Sequence, residues 1–206
     1  MSQIVAATLF QSSDLSEAQG SAERLVRLAV ALDGNNAYAH SCLSLALSLR
    51  GDHRGAVAEA DRALMLSPNL AFAYGRRGEA LIFFDRAREG IRDLQTSLRL
   101  DPRGSMQAVC LGQVAVGFYL ARAYEDAVRA AKDTVRLFPE YPLAYRWLAA
   151  GLGQLGRIEE AEETLERAMA IAPGSFDMYV RHRVPWMQAE DHAHMLEGLR
   201  KAGWKE

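Results

Sequence analysis

Three glycines, Gly151, Gly153 and Gly156, stand in "AAGLGQLG" with the spacing G-x-G-x-x-G. That spacing binds a dinucleotide when a strand precedes it and a helix opens at it, because glycine lets backbone approach the pyrophosphate. Here the preceding stretch, "YPLAYRWLAA", has no strand period. Gly156 fits instead at a turn between helices, where a left-handed residue ends the first of them, and Gly151 and Gly153 fall inside that helix. The other reactive residue types fare no better. His192 and His194 are two apart on a predicted helix, so they point about 200° apart and cannot share a metal. His182 adds no clear third ligand, and surface imidazoles are expected. Cys42 and Cys110 lack CxxC spacing and read as buried apolar residues of a reducing compartment. The pairs Glu159-Glu160 and Glu162-Glu163 begin a predicted helix, whose dipole favours them there. No serine lies in a nucleophile elbow. The residues therefore predict no catalytic, cofactor-binding or metal site.

The composition sets the class in which to look. Of 206 residues, 50% are hydrophobic and 24% charged, the balance of a folded soluble chain. A net charge of -2 gives no electrostatic case for nucleic acid or an anionic membrane. No run reaches the 18 or so apolar residues of a membrane span. The start, "MSQIVAATLF", lacks the basic region and cleavage site of a signal peptide, so a cytoplasmic location is expected.

The elements that must position any site repeat along the chain. Pro68, Pro102, Pro139 and Pro173 each follow a Leu/Ala-rich segment, at steps of 102 − 68 = 34, 139 − 102 = 37 and 173 − 139 = 34 residues. Units aligned back from these prolines run 37–70, 71–104, 108–141 and 142–175, with three inserted residues near "RGSMQ". Two helices of a hairpin can approach closely only where side chains are small. The eighth position holds Ser44, Gly78, Ala115 and Ala149. The twentieth holds Ala56, Gly90, Ala127 and Ala161, and the twenty-seventh Ala63, Ser97, Thr134 and Ala168. All twelve are small. With a period of 34 and this pattern, the chain resembles the tetratricopeptide repeat family. Arg77 departs from an apolar seventh position, and His40 and Leu111 replace a common aromatic at the fourth.

The resemblance implies an all-α, right-handed superhelical solenoid of helix-turn-helix hairpins with a C-terminal capping helix, one domain over 1–206. Residues 3–36 form a degenerate or truncated first repeat. Its second helix is expected at 15–32, with Ala22, Val26 and Ala29 in register, and its first helix must come from "SQIVAATLFQSS". Residues 176–206 are expected to cap the far end, with Met195, Leu196, Leu199 and Ala202 on one helix face and Trp186 and Trp204 packed nearby.

In such a solenoid the first helix of each unit lines a concave groove. The groove residues expected to meet a partner are Tyr38, Phe72, Arg76, Glu79, Phe83, Gln113, Tyr119, Arg146 and Trp147. Aromatic walls with a few arginines suit a protein or peptide segment, and a catalytic domain of the same polypeptide is one such partner. Gly75, Gly112 and Gly153 face the same groove, either for close helix packing or to leave room for a ligand. The clamp that binds chaperone C-terminal carboxylates is absent: Ser41, Leu45, Arg76, Val109 and Gln113, or one unit later Gly75, Glu79, Gln113, Leu143 and Trp147, cannot build it. Finally, the tail "PWMQAEDHAHMLEGLRKAGWKE" resembles the end of bacterial proteins that carry a tetratricopeptide array after a class III adenylate/guanylate cyclase domain. That resemblance implies a C-terminal docking or regulatory part of a longer signalling protein. The alternatives are the sensory half of a winged-helix transcription regulator, or a stand-alone scaffold that forms a homodimer through its incomplete first unit.

Overall fold

Helix follows helix throughout the described part of the chain. A computed structural model describes the backbone of residues 14–205 and the side chains of residues 19–205. Eleven helices appear among the described residues, and no strand. They are α1 Asp14–Leu32, α2 Ala37–Leu49, α3 His53–Leu66, α4 Ala71–Ile82, α5 Ala87–Leu100, α6 Gln107–Leu120, α7 Tyr124–Leu137, α8 Pro142–Gln154, α9 Ile158–Ile171, α10 Pro173–Arg181 and α11 Ala189–Lys201. Pairs α2–α3, α4–α5, α6–α7 and α8–α9 pack as hairpins, and each second helix packs on the next pair. The first helices also touch in series, α2 on α4, α4 on α6 and α6 on α8, which makes one inner face.

Local chemistry explains where the helices begin and end. Asn36 caps α2 by accepting from the Ala39 N–H at 3.0 Å, and Asp52 caps α3 by accepting from Gly55 at 2.9 Å. Each hairpin turn has a left-handed residue at the same register, namely Gly51, Asp85, Arg122 and Gly156. Gly51 and Gly156 take that conformation without steric cost.

The twelve small positions are all buried. At the α4–α5 crossing a Cβ on Gly90 would stand 2.5 Å from the Gly78 carbonyl oxygen, so the two backbones touch. Ala56 and Ala161 are 0% exposed and Ala127 1%, at the equivalent crossings. Arg77 fits at its apolar position because it is paired on both sides. It donates to Asp93 from Nε at 2.7 Å and from a terminal nitrogen at 3.0 Å, and to Asp61 at 2.7 Å, tying α3, α4 and α5 together. His40, where an aromatic is common, meets Glu59 at 2.6 Å and the Gly34 carbonyl at 3.1 Å.

The ends differ from one another. In α1, Val26 and Val30 pack on the α2–α3 core, while Ala22, Ala29, Leu25, Leu28 and Leu32 are exposed. The expected partner helix, "SQIVAATLFQSS", lies outside the described residues. At the other end, α10 stacks on α9 and α8 as a further first helix. Helix α11 does not continue the stack. It turns back onto α8, where a plain end cap was expected.

Candidate functional site

The inner face of α2, α4, α6 and α8 is where the sequence places a partner groove, and the C-terminal segment lies on it. Residues 182–188 run from the end of α10 toward the first unit. There the His53 Nε2 donates to the Trp186 carbonyl at 2.9 Å, and a Cβ on Gly51 would stand 2.7 Å from the Pro185 oxygen. The chain then returns as α11. Asp191 lies beside the hairpin turn of Asp85 and Arg86, in a cleft of about 410 Å³ that Leu120 and Ala121 also line. Further along, the Tyr119 hydroxyl donates to the His194 carbonyl at 2.8 Å. Lys201 reaches Gln154 at 2.8 Å at the far end.

Close approach is set by two glycines. A Cβ on Gly153 would collide with the Gly198 carbonyl, and one on Gly198 would stand 2.6 Å from the Ala150 carbonyl oxygen. Helices this close exclude any larger residue. The face that docks is the expected one: Met195, Leu199 and Ala202 are 0% exposed, with Leu196 partly buried. What the amphipathic pattern could not supply was the surface that receives it. The groove glycines thus serve packing. Gly153 admits α11, and a Cβ on Gly112 would meet the Tyr141 ring at 2.7 Å.

The nine expected groove residues separate by depth. Tyr38 is exposed and stacks on the half-buried Phe72, ring centroids 4.7 Å apart. Arg76 is buried over the Phe72 ring, pairs with Glu79 at 2.8 Å and touches the Met106 sulfur. Burial raises the Glu79 carboxyl above its usual range, although the Arg76 charge opposes this. Phe83 is buried and stacks on His53. Tyr119 is fully buried, edge-on to Trp147 at 5.0 Å. Its phenol is pushed up by burial. Trp147 is 2% exposed and belongs to the main core, so it is not a freely presented contact residue. Arg146 is 3% exposed, with its guanidinium 4.4 Å from the Tyr179 ring centre. Burial lowers Arg146 to about 10. Gln113 is half-buried, and its Oε1 has no hydrogen-bond partner among the described residues.

The histidines correct the sequence reading. Of the imidazoles expected at the surface, His182 is exposed, but His40 and His53 are buried and His192 and His194 half-buried. His194 sits against the Tyr124 hydroxyl at 3.0 Å because α11 lies in the groove. Burial lowers His53 and His192 below the usual imidazole range. Cys42 and Cys110 are free thiols, raised by burial. Among the described residues no group of three or more His, Cys, Asp or Glu is placed to hold a metal, and no helix is long and apolar enough to cross a membrane. Gly151 and Gly153 lie inside α8, and no strand among the described residues stands before them to present a nucleotide.

Stacked hairpins with small crossings and a first-helix groove define an all-α repeat solenoid of the tetratricopeptide type. Residues 118–179 match the tetratricopeptide repeat family model. A search of curated proteins finds no match. Several solved structures share the fold at low identity. PilF of Pseudomonas aeruginosa superposes with a TM-score of 0.65 at 17% identity, over 96% of this chain and 85% of its own. MamA from Desulfovibrio magneticus RS-1 gives 0.63 at 20% identity, over 80% and 94%. YrrB, described as a TPR protein with an unusual peptide-binding site, gives 0.56 at 20% identity, over 86% and 90%.

Proposed function

We propose that this chain is a non-catalytic protein-interaction module whose inner groove receives a protein or peptide segment. The observation that carries this reading is the population of that groove. Arginines and aromatics come from consecutive first helices, Arg76 within and Phe83 at the end of α4, Tyr119 on α6, and Arg146 and Trp147 on α8, all of them buried. These types supply most of the binding energy in protein interfaces, and a groove between helices suits an extended or helical peptide. The shared fold of YrrB, a protein described by its unusual peptide-binding site, supports a peptide-binding use of such a fold.

The finer reading is that the module is the C-terminal docking or regulatory part of a larger bacterial cyclase-like signalling protein. The tail "PWMQAEDHAHMLEGLRKAGWKE" supports it by resemblance. Titrating a purified class III cyclase catalytic domain with this chain tests it by calorimetry. Saturable binding with a change in cyclase turnover is expected, and no binding removes the cyclase association. The chain alone, given ATP or GTP, is expected to form no cyclic nucleotide. Robust turnover would overturn the non-catalytic reading.

A further inference from the structure

The C-terminal segment is held unequally along its length. From His194 onward the contact is apolar and satisfied: Met195, Leu199 and Ala202 are fully buried, and the His194 carbonyl accepts from Tyr119. Residues 182–192 are also seated by two apolar side chains, Val184 at 7% and Met187 at 3% exposure. Their polar surroundings, however, are poorly matched. His53 Nδ1 and His192 Nε2 have no hydrogen-bond partner among the described residues. Asp191 feels the like charge of Asp85 as well as the opposite charge of Arg122, and His192, bonded to the Tyr179 and Val180 backbone, faces the positive charges of Arg183 and Arg146. Buried polar groups in a permanent contact are ordinarily satisfied.

Beside His192 the inner wall carries a buried positive charge, that of Arg146. Arg146 presents a buried Nε–H without a hydrogen-bond acceptor among the described residues. The Glu79 carboxylate pairs with Arg76. Arg146 makes no ion pair among the described residues and rests on the Tyr179 ring. A buried guanidinium is best matched by a carboxylate, which accepts two of its N–H bonds at once.

We propose that residues 182–192 are a removable lid over the groove, and that the ligand beneath is an acidic peptide segment of a partner protein whose carboxylate pairs with Arg146. The inference rests on the docking-groove reading and adds to it what closes the groove and what chemistry opens it. The second half of α11 stays docked as the anchor, so the lid recloses without diffusing away. Because only the open form binds, apparent affinity scales with the open fraction.

The test uses the full chain and fluorescence anisotropy with two labelled amphipathic probes, a Glu/Leu peptide and its Gln/Leu counterpart. Replacing the lid's seats, Val184→Ser with Met187→Ser, is expected to tighten the Glu/Leu probe roughly tenfold over wild type. Adding Arg146→Gln is expected to cancel at least that gain, and the Gln/Leu probe to bind the lid variant at least tenfold more weakly. Equal binding to wild type and the lid variant overturns the lid and leaves the docking groove standing. Equal binding of the two probes overturns the acidic partner. No binding of either probe to any variant overturns the groove reading as well. Should the double variant fail to fold by circular dichroism, hydrogen exchange on wild type decides. Saturating Glu/Leu probe must speed exchange at 182–192 and spare 195–202, and unchanged protection at 182–192 overturns the lid.

Discussion

Sequence register makes Trp147 and Tyr38 equally partner-facing, and their surroundings separate them. Trp147 is 2% exposed and edge-on to Tyr119, whereas Tyr38 is 57% exposed with one stacked neighbour. Trp147→Ala is expected to cost about 3–5 kcal/mol and Tyr38→Ala about 1 kcal/mol or less, read from denaturant unfolding. Two other residues give the tail a pH dependence. His53, set among Asp52, Asp85 and the Trp186 carbonyl, and His192, set among Arg183, Arg146 and the carbonyls of Tyr179 and Val180, are both held below the usual 6.5, chiefly by burial. Each is kept neutral while the tail is docked and gains a proton when it is released. Their contribution to docking is therefore complete above about pH 6.5 and is lost as pH falls below it. Asp191 acts in the opposite sense, since burial and Asp85 raise its carboxyl, but its effect belongs to the lower, carboxylate range. Hydrogen exchange at 182–192 is expected to quicken, relative to α8, between about pH 6.5 and 5.5. Protection that is flat or rises across that interval would refute the histidine contribution.

Among the elements, the hairpin crossings were legible in the sequence and the docking of α11 was not. A crossing writes a constraint into fixed positions, so Ala56, Gly90, Ala127 and Ala161 announce it by size at one register. Ala127 is 1% exposed at the α6–α7 crossing, and Ala127→Leu is expected to overpack it, costing about 1–3 kcal/mol or more in a thermal melt. A surface substitution on the same helix, Arg129→Leu, is the control and is expected to stay within about 0.5 kcal/mol. The α11 face was equally legible, since Met195, Leu199 and Ala202 lie on one side of a helix. Periodicity says that such a face is covered, never by which surface, so the return onto α8 had no local signal beyond Gly153 and Gly198. Arg77 shows the same limit. Its partners Asp61 and Asp93 lie on the two neighbouring helices, each 16 residues away, and their convergence appears only once α3, α4 and α5 are stacked.

At the scale of the whole molecule, the tail ties the first unit to the last. The first helices form one inner face, and residues 182–204 cover its turn-side end from Gly51 to Gly203 beside Glu162. Shortening the chain after Arg181 removes this cover while leaving every hairpin crossing intact. It also removes Trp186 and Trp204, which leaves Trp147 as the sole tryptophan of the three in the chain. The reference is the full chain carrying Trp186→Phe and Trp204→Phe, so that both proteins report from Trp147 alone. Helical circular dichroism per residue is expected to persist in the shortened chain, because repeat hairpins are stabilised by nearest neighbours. Trp147 emission is expected to shift to the red and become accessible to a soluble quencher, as Tyr119 and the α8 face lose their cover. Binding of a hydrophobic dye is expected to rise with it, since an apolar face is exposed in a folded frame. An unshifted, unquenched Trp147 in a helical shortened chain would mean that the repeat stack alone buries the ring, and the groove would then not be what the tail covers.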